Sequence, residues 1–159
     1  MVRQAYHDMF YNYVTLTPST GSGQALLNGR RRSIVLLQFG STMTENVAVS
    51  AYIASLKKEF QTGHAQEHSY RPALKSLFES IAKMQVVNEP KGSAHGRPDF
   101  IFLKGDTPIA WVEAKDVHVS PEKIEKSEQM SRYFGYANLI LTNGLEFRFY
   151  KNGKAYGEP

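Results

Sequence analysis

Residues 96–115 read GRPDFIFLKGDTPIAWVEAK, two strongly apolar runs around Lys104-Gly105-Asp106-Thr107-Pro108, a turn by composition. Runs spaced this closely fold back on each other as two strands, and a buried strand normally excludes charge. Here Asp99 stands at the mouth of the first run, and Glu113 and Lys115 stand at the end of the second. Strand side chains alternate between faces, so Asp99, Ile101 and Leu103 share one side, and Ile109, Trp111, Glu113 and Lys115 share one side of the next strand. With the hairpin centred on Asp106, positions whose numbers total 212 lie opposite, which sets Asp99 against Glu113. Their Cβ atoms would then be about 4.5–5.5 Å apart. A bulge or a slip of one residue would break this register.

Two carboxylates held that close repel, and burial raises the cost unless a cation sits between them. A divalent metal resolves the conflict. Oxygen-only ligands on a rigid sheet suit Mg²⁺, which takes one or two carboxylates, keeps several waters and leaves places for phosphate oxygens. The ammonium of Lys115 can orient or help deprotonate an attacking water and steady charge on phosphorus. The competing reading is a plain salt bridge from Lys115 to Glu113 or Asp99 at the end of a hairpin.

The rest of the chain bounds these readings. Its 159 residues, 42% hydrophobic, suit one domain with a real core. Lys and Arg number 19 against 15 Asp and Glu, and a net charge of +4 mildly favours a polyanionic partner. Cysteine is absent, which excludes disulfides, thiol catalysis and cysteine-ligated zinc. No signal core is present, and the longest aliphatic run, Ile34 to Leu37, is far too short for a bilayer, so a soluble, cytoplasmic domain is expected.

Residues 1–42 carry aromatics, a TPSTGSGQ stretch and Arg30-Arg31-Arg32 but no recognisable chemistry, and read as an extension before a domain over 43–159. Thr44-Glu45-Asn46 looks like a helix start ahead of the pattern Val47, Ala51, Ala54, Ser55, Lys58. A second helix carries the stripe Tyr70, Leu74, Leu77, Phe78, Ile81, with Pro72 near its start or at a kink. QVVN reads as a strand and KGSAHG as a loop. Ser120-Pro121-Glu122 begins a helix that runs to about Phe134, where Gly135 stops it. NLILT suits a covered strand, Asn143-Gly144 a hairpin turn, and LEFRFYK a strand with Leu145, Phe147 and Phe149 inward and Glu146, Arg148 and Tyr150 outward. The order is that of an α/β domain around a mixed sheet.

Pro98-Asp99 followed by Glu113-Ala114-Lys115 resembles the PD-(D/E)XK nuclease superfamily. The helix after it carries QMSRY, whose Gln129 and Tyr133 match the Q-x-x-x-Y motif of the RecB-like branch, and residues four apart share a helix face. Upstream, EHSYRPALKSLFE looks like the first helix of the nuclease domain of single-chain restriction-modification enzymes, in which nuclease and N6-adenine methyltransferase share a polypeptide. The resemblance covers roughly residues 45–155. It implies a restriction-endonuclease-like core in αβββαβ order with a C-terminal hairpin. It also implies Mg²⁺-dependent hydrolysis of double-stranded DNA at P–O3′, with Mn²⁺ able to substitute. Asp99 and Glu113, assisted by Glu67, would hold the metal, Lys115 would activate or orient water, and Gln129 and Tyr133 would position water or backbone. Neither a Walker motif nor an adenine-methyltransferase tetrapeptide is present, so motor, methylation and target-recognition domains would lie outside this chain, here an excised domain or a truncated product.

Three further readings compete. His64-Ala65-Gln66-Glu67-His68 is H-x-x-E-H, the pattern of one class of zinc peptidases. A DNA-binding module on the same fold that no longer cuts is the second. Solvated surface is the third, and covers His95, His118 and the basic residues Lys91, Arg97, Lys123, Lys126 and Arg132, which otherwise form a rim for phosphate. Trp111 reads as core.

Overall fold

A computed structural model describes residues 47–156 of the chain. The expectations for residues 1–42 and for the helix start at 44–46 lie outside the described residues. Residues 47–61 are helical (α1), followed by α2 (Glu67–Ala82), β1 (Gln85–Asn88), β2 (Phe100–Lys104) and β3 (Thr107–Ala114). Two short helices, α3 (Pro121–Glu125) and α4 (Glu128–Tyr133), lead to β4 (Asn138–Thr142), β5 (Phe147–Lys151) and β6 (Lys154–Ala155). The six strands form one sheet in chain order. β3 and β4 run parallel because the α3–α4 crossover separates them, while every other neighbouring pair is antiparallel. This is the mixed sheet with flanking helices expected from the sequence.

Two apolar clusters cover the two faces of the sheet. The α2 stripe Tyr70, Leu74, Leu77 and Phe78 packs with Val86, Phe100, Phe102, Val112 and Phe149. Met130, Tyr133 and Tyr136 pack with Leu139, Leu141 and Tyr150 on the other side. β4 is therefore buried along its whole length, with Ile140 in the first cluster and its neighbours Leu139 and Leu141 in the second. That burial on both faces explains the unbroken run NLILT.

The β2–β3 register decides where the acids meet, and it is set in two steps. Gly105-Asp106 is a two-residue turn, so Lys104 pairs with Thr107 and Leu103 with Pro108, partner numbers that total 211. A bulge then lets Phe102 pair with Ala110, and Ile101 with Trp111 and Phe100 with Val112 follow, totals of 212. The expected register toward Asp99 and Glu113 is therefore present, produced by the bulge and not by a turn centred on Asp106. Ile109 is the extra residue. It packs in the first cluster with Ala110, not on the side of Trp111 and Glu113 as simple alternation predicts. Its carbonyl accepts a hydrogen bond from Nδ2 of the buried Asn138 at 2.8 Å, which satisfies a group that the bulge takes out of the ladder.

Other departures have local causes. In α1 the residues Val47, Ala51, Ala54, Ser55 and Lys58 are all exposed, and Tyr52 and Leu56 are buried instead because they bring the larger apolar area to the core. The helix expected from Ser120 to Phe134 breaks at Lys126-Ser127, where the Ser127 hydroxyl accepts from Met130 N at 3.2 Å and caps α4 afresh. The β4–β5 connection is a four-residue loop, held by Asn143 Oδ1 accepting from Leu145 N and Glu146 N. Tyr150 in β5 is buried and Leu145, in the loop before the strand, is exposed, the reverse of the alternation reading. The outer face of β5 is covered because α3 supplies Glu125, which accepts from the Tyr150 hydroxyl and from Arg148 Nη1. Among the described residues no helix is long and apolar enough to cross a membrane.

Candidate active site

Asp99 enters immediately before β2 and Glu113 lies one residue from the end of β3. The pair Phe100–Val112 is the last in the ladder, and Asp99 continues it: its amide donates to Val112 O at 2.9 Å, and its Oδ2 accepts from Ala114 N at 2.8 Å. The two acids therefore meet at one end of the hairpin. Lys115, two residues on, donates to Glu113 Oε1 at 2.5 Å. The structure thus brings together three of the residues picked from sequence.

α4 supplies the next two. Gln129 Nε2 donates to Glu113 Oε1 at 3.0 Å and to the Tyr133 hydroxyl at 3.2 Å, as their spacing on one helix face allows. The Tyr133 hydroxyl in turn donates to Arg97 O at 2.7 Å. Its ring lies under Gly96, where φ is +127° and an added Cβ would come within 2.6 Å of Tyr133 Cε1. Glycine is thus required twice over, for the backbone conformation and for the close approach. Tyr136 reinforces the same loop, donating to Gly96 O at 3.1 Å and sharing a hydrogen bond with Ser93. Through these contacts Tyr133 positions the Arg97-Pro98 approach to Asp99, while Gln129 holds the Glu113 carboxylate.

α2 contributes from the other side. Arg71 is 7% exposed and sits between three acids. Its Nη2 donates to Glu67 Oε1 at 3.1 Å and to Asp99 Oδ1, and its Nη1 donates to Glu89 Oε1 at 3.0 Å. Glu67 thus reaches the margin of the site through a shared arginine. Glu89 follows β1, takes a positive φ of 50° and donates its amide to Asp99 O at 2.8 Å.

Burial dominates the electrostatics. The Glu113 carboxyl is pushed up from 4.5 to about 7, by burial first and by the charge of Asp99 second, although Lys115 and Gln129 pull it down. Asp99 is also raised, by burial, against the opposing effects of Ala114 N, Arg71 and Lys115. Glu113 Oε2 is buried without a hydrogen-bond partner. A buried carboxylate oxygen left unpaired costs free energy that a cation would recover. The donor atoms are all oxygen, and four carboxylates, Glu67, Glu89, Asp99 and Glu113, face two side-chain cations, Arg71 and Lys115. These residues fit a hard divalent ion held by a carboxylate pair and completed by water. Among the described residues, no group of three or more His, Asp or Glu side chains is gathered to hold a metal. Glu67, paired with Arg71, is accordingly not brought into a three-carboxylate cluster with Asp99 and Glu113.

The family model described as Type I restriction enzyme R protein N terminus (HSDR_N) matches residues 31–158. The chain belongs to this family. Among solved structures, a chain of "cryoEM structure DrdV-DNA complex" is similar in fold, with a TM-score of 0.60 and 18% identity over 68% of this chain and 81% of that one. No curated protein sequence matches. The family and the fold together mark a restriction-system, nuclease-like domain.

The remaining sequence candidates of this family member lie in loops, in the core or at the surface. The H-x-x-E-H reading fails locally, because α2 begins at Glu67 and leaves His64 in the preceding loop, so the two histidines do not share a helix. His95, expected at the surface, is half-buried with its ring 5.0 Å from that of Tyr136, and a side chain at Gly135 would collide with it. Trp111 stacks on Tyr136 at 4.5 Å and belongs to the second cluster, as expected. His118 is exposed beside Phe60. Lys91, Arg97, Lys123, Lys126 and Arg132 are all exposed, with Lys126 and Arg132 in i,i+4 pairs with Glu122 and Glu128. Sequence reasoning missed Arg71 and Glu89. The only signal for Arg71 was a charged residue next to Tyr70 on a buried stripe.

Proposed function

We propose that this chain is the Mg²⁺-dependent endodeoxyribonuclease module of a cytoplasmic restriction-modification system, of the PD-(D/E)XK type with the RecB-like Q-x-x-x-Y motif, acting on double-stranded DNA. The observation that carries the reading is the Asp99–Glu113 pair, in which Glu113 is buried with one oxygen unpartnered and Lys115 on the other. Mg²⁺, or Mn²⁺ in its place, would be held by Asp99 and Glu113, and when bound supplies Lewis-acid charge at a phosphate oxygen. Lys115, tethered by Glu113, orients the attacking water and offsets charge developing on phosphorus. Gln129 keeps Glu113 turned toward Lys115, and Tyr133 holds the loop that delivers Asp99. Water oxygen bonds to phosphorus, the P–O3′ bond breaks, and the O3′ leaving group takes up a proton, which leaves a 5′-phosphate. Methyltransferase and target-recognition domains would be partners outside this chain.

One observation favours a second reading, a DNA-binding module that does not cut. Arg71 and Lys115 already partner Asp99 and Glu113. Plasmid cleavage in Mg²⁺ separates the two, comparing the wild type with Asp99→Asn and Lys115→Ala. The nuclease reading expects nicking by the wild type and a loss of about 100-fold or more in both variants. Equal nicking by all three would refute it, and retained DNA binding without nicking by the wild type would establish the second reading.

A further inference from the structure

We propose that Arg71 is the resident counter-cation of this acid cluster, holding Asp99, Glu67 and Glu89 together while no divalent ion is bound and competing with that ion once it arrives. The inference rests on the metal-binding reading above. Its acids come from three places in the fold: α2 itself, the end of β1 and the entry to β2. A guanidinium suits such a position because its planar fork serves several carboxylates at once and stays charged when buried. Its Nε is buried with no partner, a cost that the contacts of its two Nη groups with three carboxylates offset.

Competition follows from the geometry of Asp99. Both of its oxygens are engaged, Oδ1 by Arg71 and Oδ2 by Ala114 N. A cation that takes Asp99 must therefore share an oxygen with Arg71 or with Ala114 N, or displace one of them, and in each position near Arg71 it meets the repulsion of a unit positive charge within a few ångströms. Arg71 acts through Asp99 and touches no reacting atom, so it is a positioning residue. Its charge tunes the affinity of the site, and its hydrogen bonds keep the carboxylates placed before the ion binds.

The test uses the full chain stripped of metal, with Mg²⁺ titrated calorimetrically and thermal unfolding followed with and without Mg²⁺. Arg71→Gln should melt lower without metal yet bind Mg²⁺ about tenfold more tightly, so that Mg²⁺ raises its Tm by more than that of the wild type. Arg71→Lys, which keeps the charge, should stay within about threefold of the wild-type affinity. Glu89→Gln, at a side chain 54% exposed, removes a negative charge that Arg71 now answers and should weaken Mg²⁺ binding several-fold. If Arg71→Gln binds Mg²⁺ no more tightly than a wild type that does bind it, this inference is overturned and the metal reading stands. If the wild type binds no Mg²⁺, the metal reading falls and takes the competition with it. Should Arg71→Gln remain unfolded at every Mg²⁺ concentration, Glu89→Gln decides, and unchanged affinity there overturns the inference.

Discussion

Replacing Glu113 with glutamine should flatten the pH dependence of this domain's stability. Glu113 is 2% exposed, and its carboxyl is displaced from 4.5 to about 7. Because the folded-state value lies above the unfolded one, the native protein keeps a proton that the unfolded chain has released. The contribution is fully present below about pH 4.5 and is lost as pH rises through about 7. A displacement of this size corresponds to roughly 3 kcal/mol, or on the order of 10 °C in Tm. Asp99, raised in the same direction, adds its own decline at the acidic end of the range. In EDTA, the wild type should therefore melt roughly 10 °C lower at about pH 8 than at about pH 5. Glu113→Gln carries no charge at either pH and keeps an oxygen for Lys115, so it should lose most of that difference. Mg²⁺ at the higher pH should restore the wild type and leave the variant unmoved. Circular dichroism melts across this pH range, with and without Mg²⁺, make the measurement. A variant whose Tm falls with pH as steeply as that of the wild type would show that some other group titrates, and the account of Glu113 would be wrong.

Three further outcomes follow from the supporting contacts. Gly96→Ala combines a disfavoured φ with a collision against Tyr133 and should cost on the order of 3 kcal/mol, read as a lowered urea midpoint, together with a loss of Mg²⁺ binding as Asp99 shifts. Tyr133→Phe leaves the Arg97 carbonyl without its donor and should cost about 1–3 kcal/mol; because the tyrosine acts on the loop, cleavage should fall less than in Lys115→Ala. Asn138→Ala removes the donor from the bulged Ile109 carbonyl and should cost about 1–3 kcal/mol, with fast amide exchange at residues 108–110 as the diagnostic if register loosens.

The parts legible in the sequence were those whose cause is local. Alternation in FIFLK, the apolar run NLILT and the stripe from Tyr70 to Phe78 each report their own burial, and so the strands and α2 were readable, whereas the register that sets Asp99 against Glu113 depends on a bulge that the local pattern does not show. Q-x-x-x-Y brought Gln129 to Glu113 because helix periodicity alone aligns residues four apart. What could not be read depends on distant partners. Arg71 meets Asp99 only in the folded chain, 28 positions away in sequence. Tyr150 is buried where α3 and Phe134 cover β5, and His95 is half-buried where Gly135 leaves room for its ring. The bulge was invisible for a related reason: the buried side chain that stabilises it, Asn138, belongs to another strand.

That bulge has a consequence for how freely the hairpin can change. The tip at Gly105-Asp106 and the acids at the far end are out of phase by one residue, and the correction is made at Ile109, between them. Because Asn138 clamps the correction from β4, the tip is mechanically insulated from the acids. A short flexible peptide inserted between Gly105 and Asp106 should extend outward and leave Asp99 facing Glu113, so the tip offers a place for an affinity handle or a fluorophore that does not disturb the site. A single residue inserted between Ile109 and Ala110 would instead shift every following residue of the strand by one position and carry Glu113 to the opposite face of the sheet.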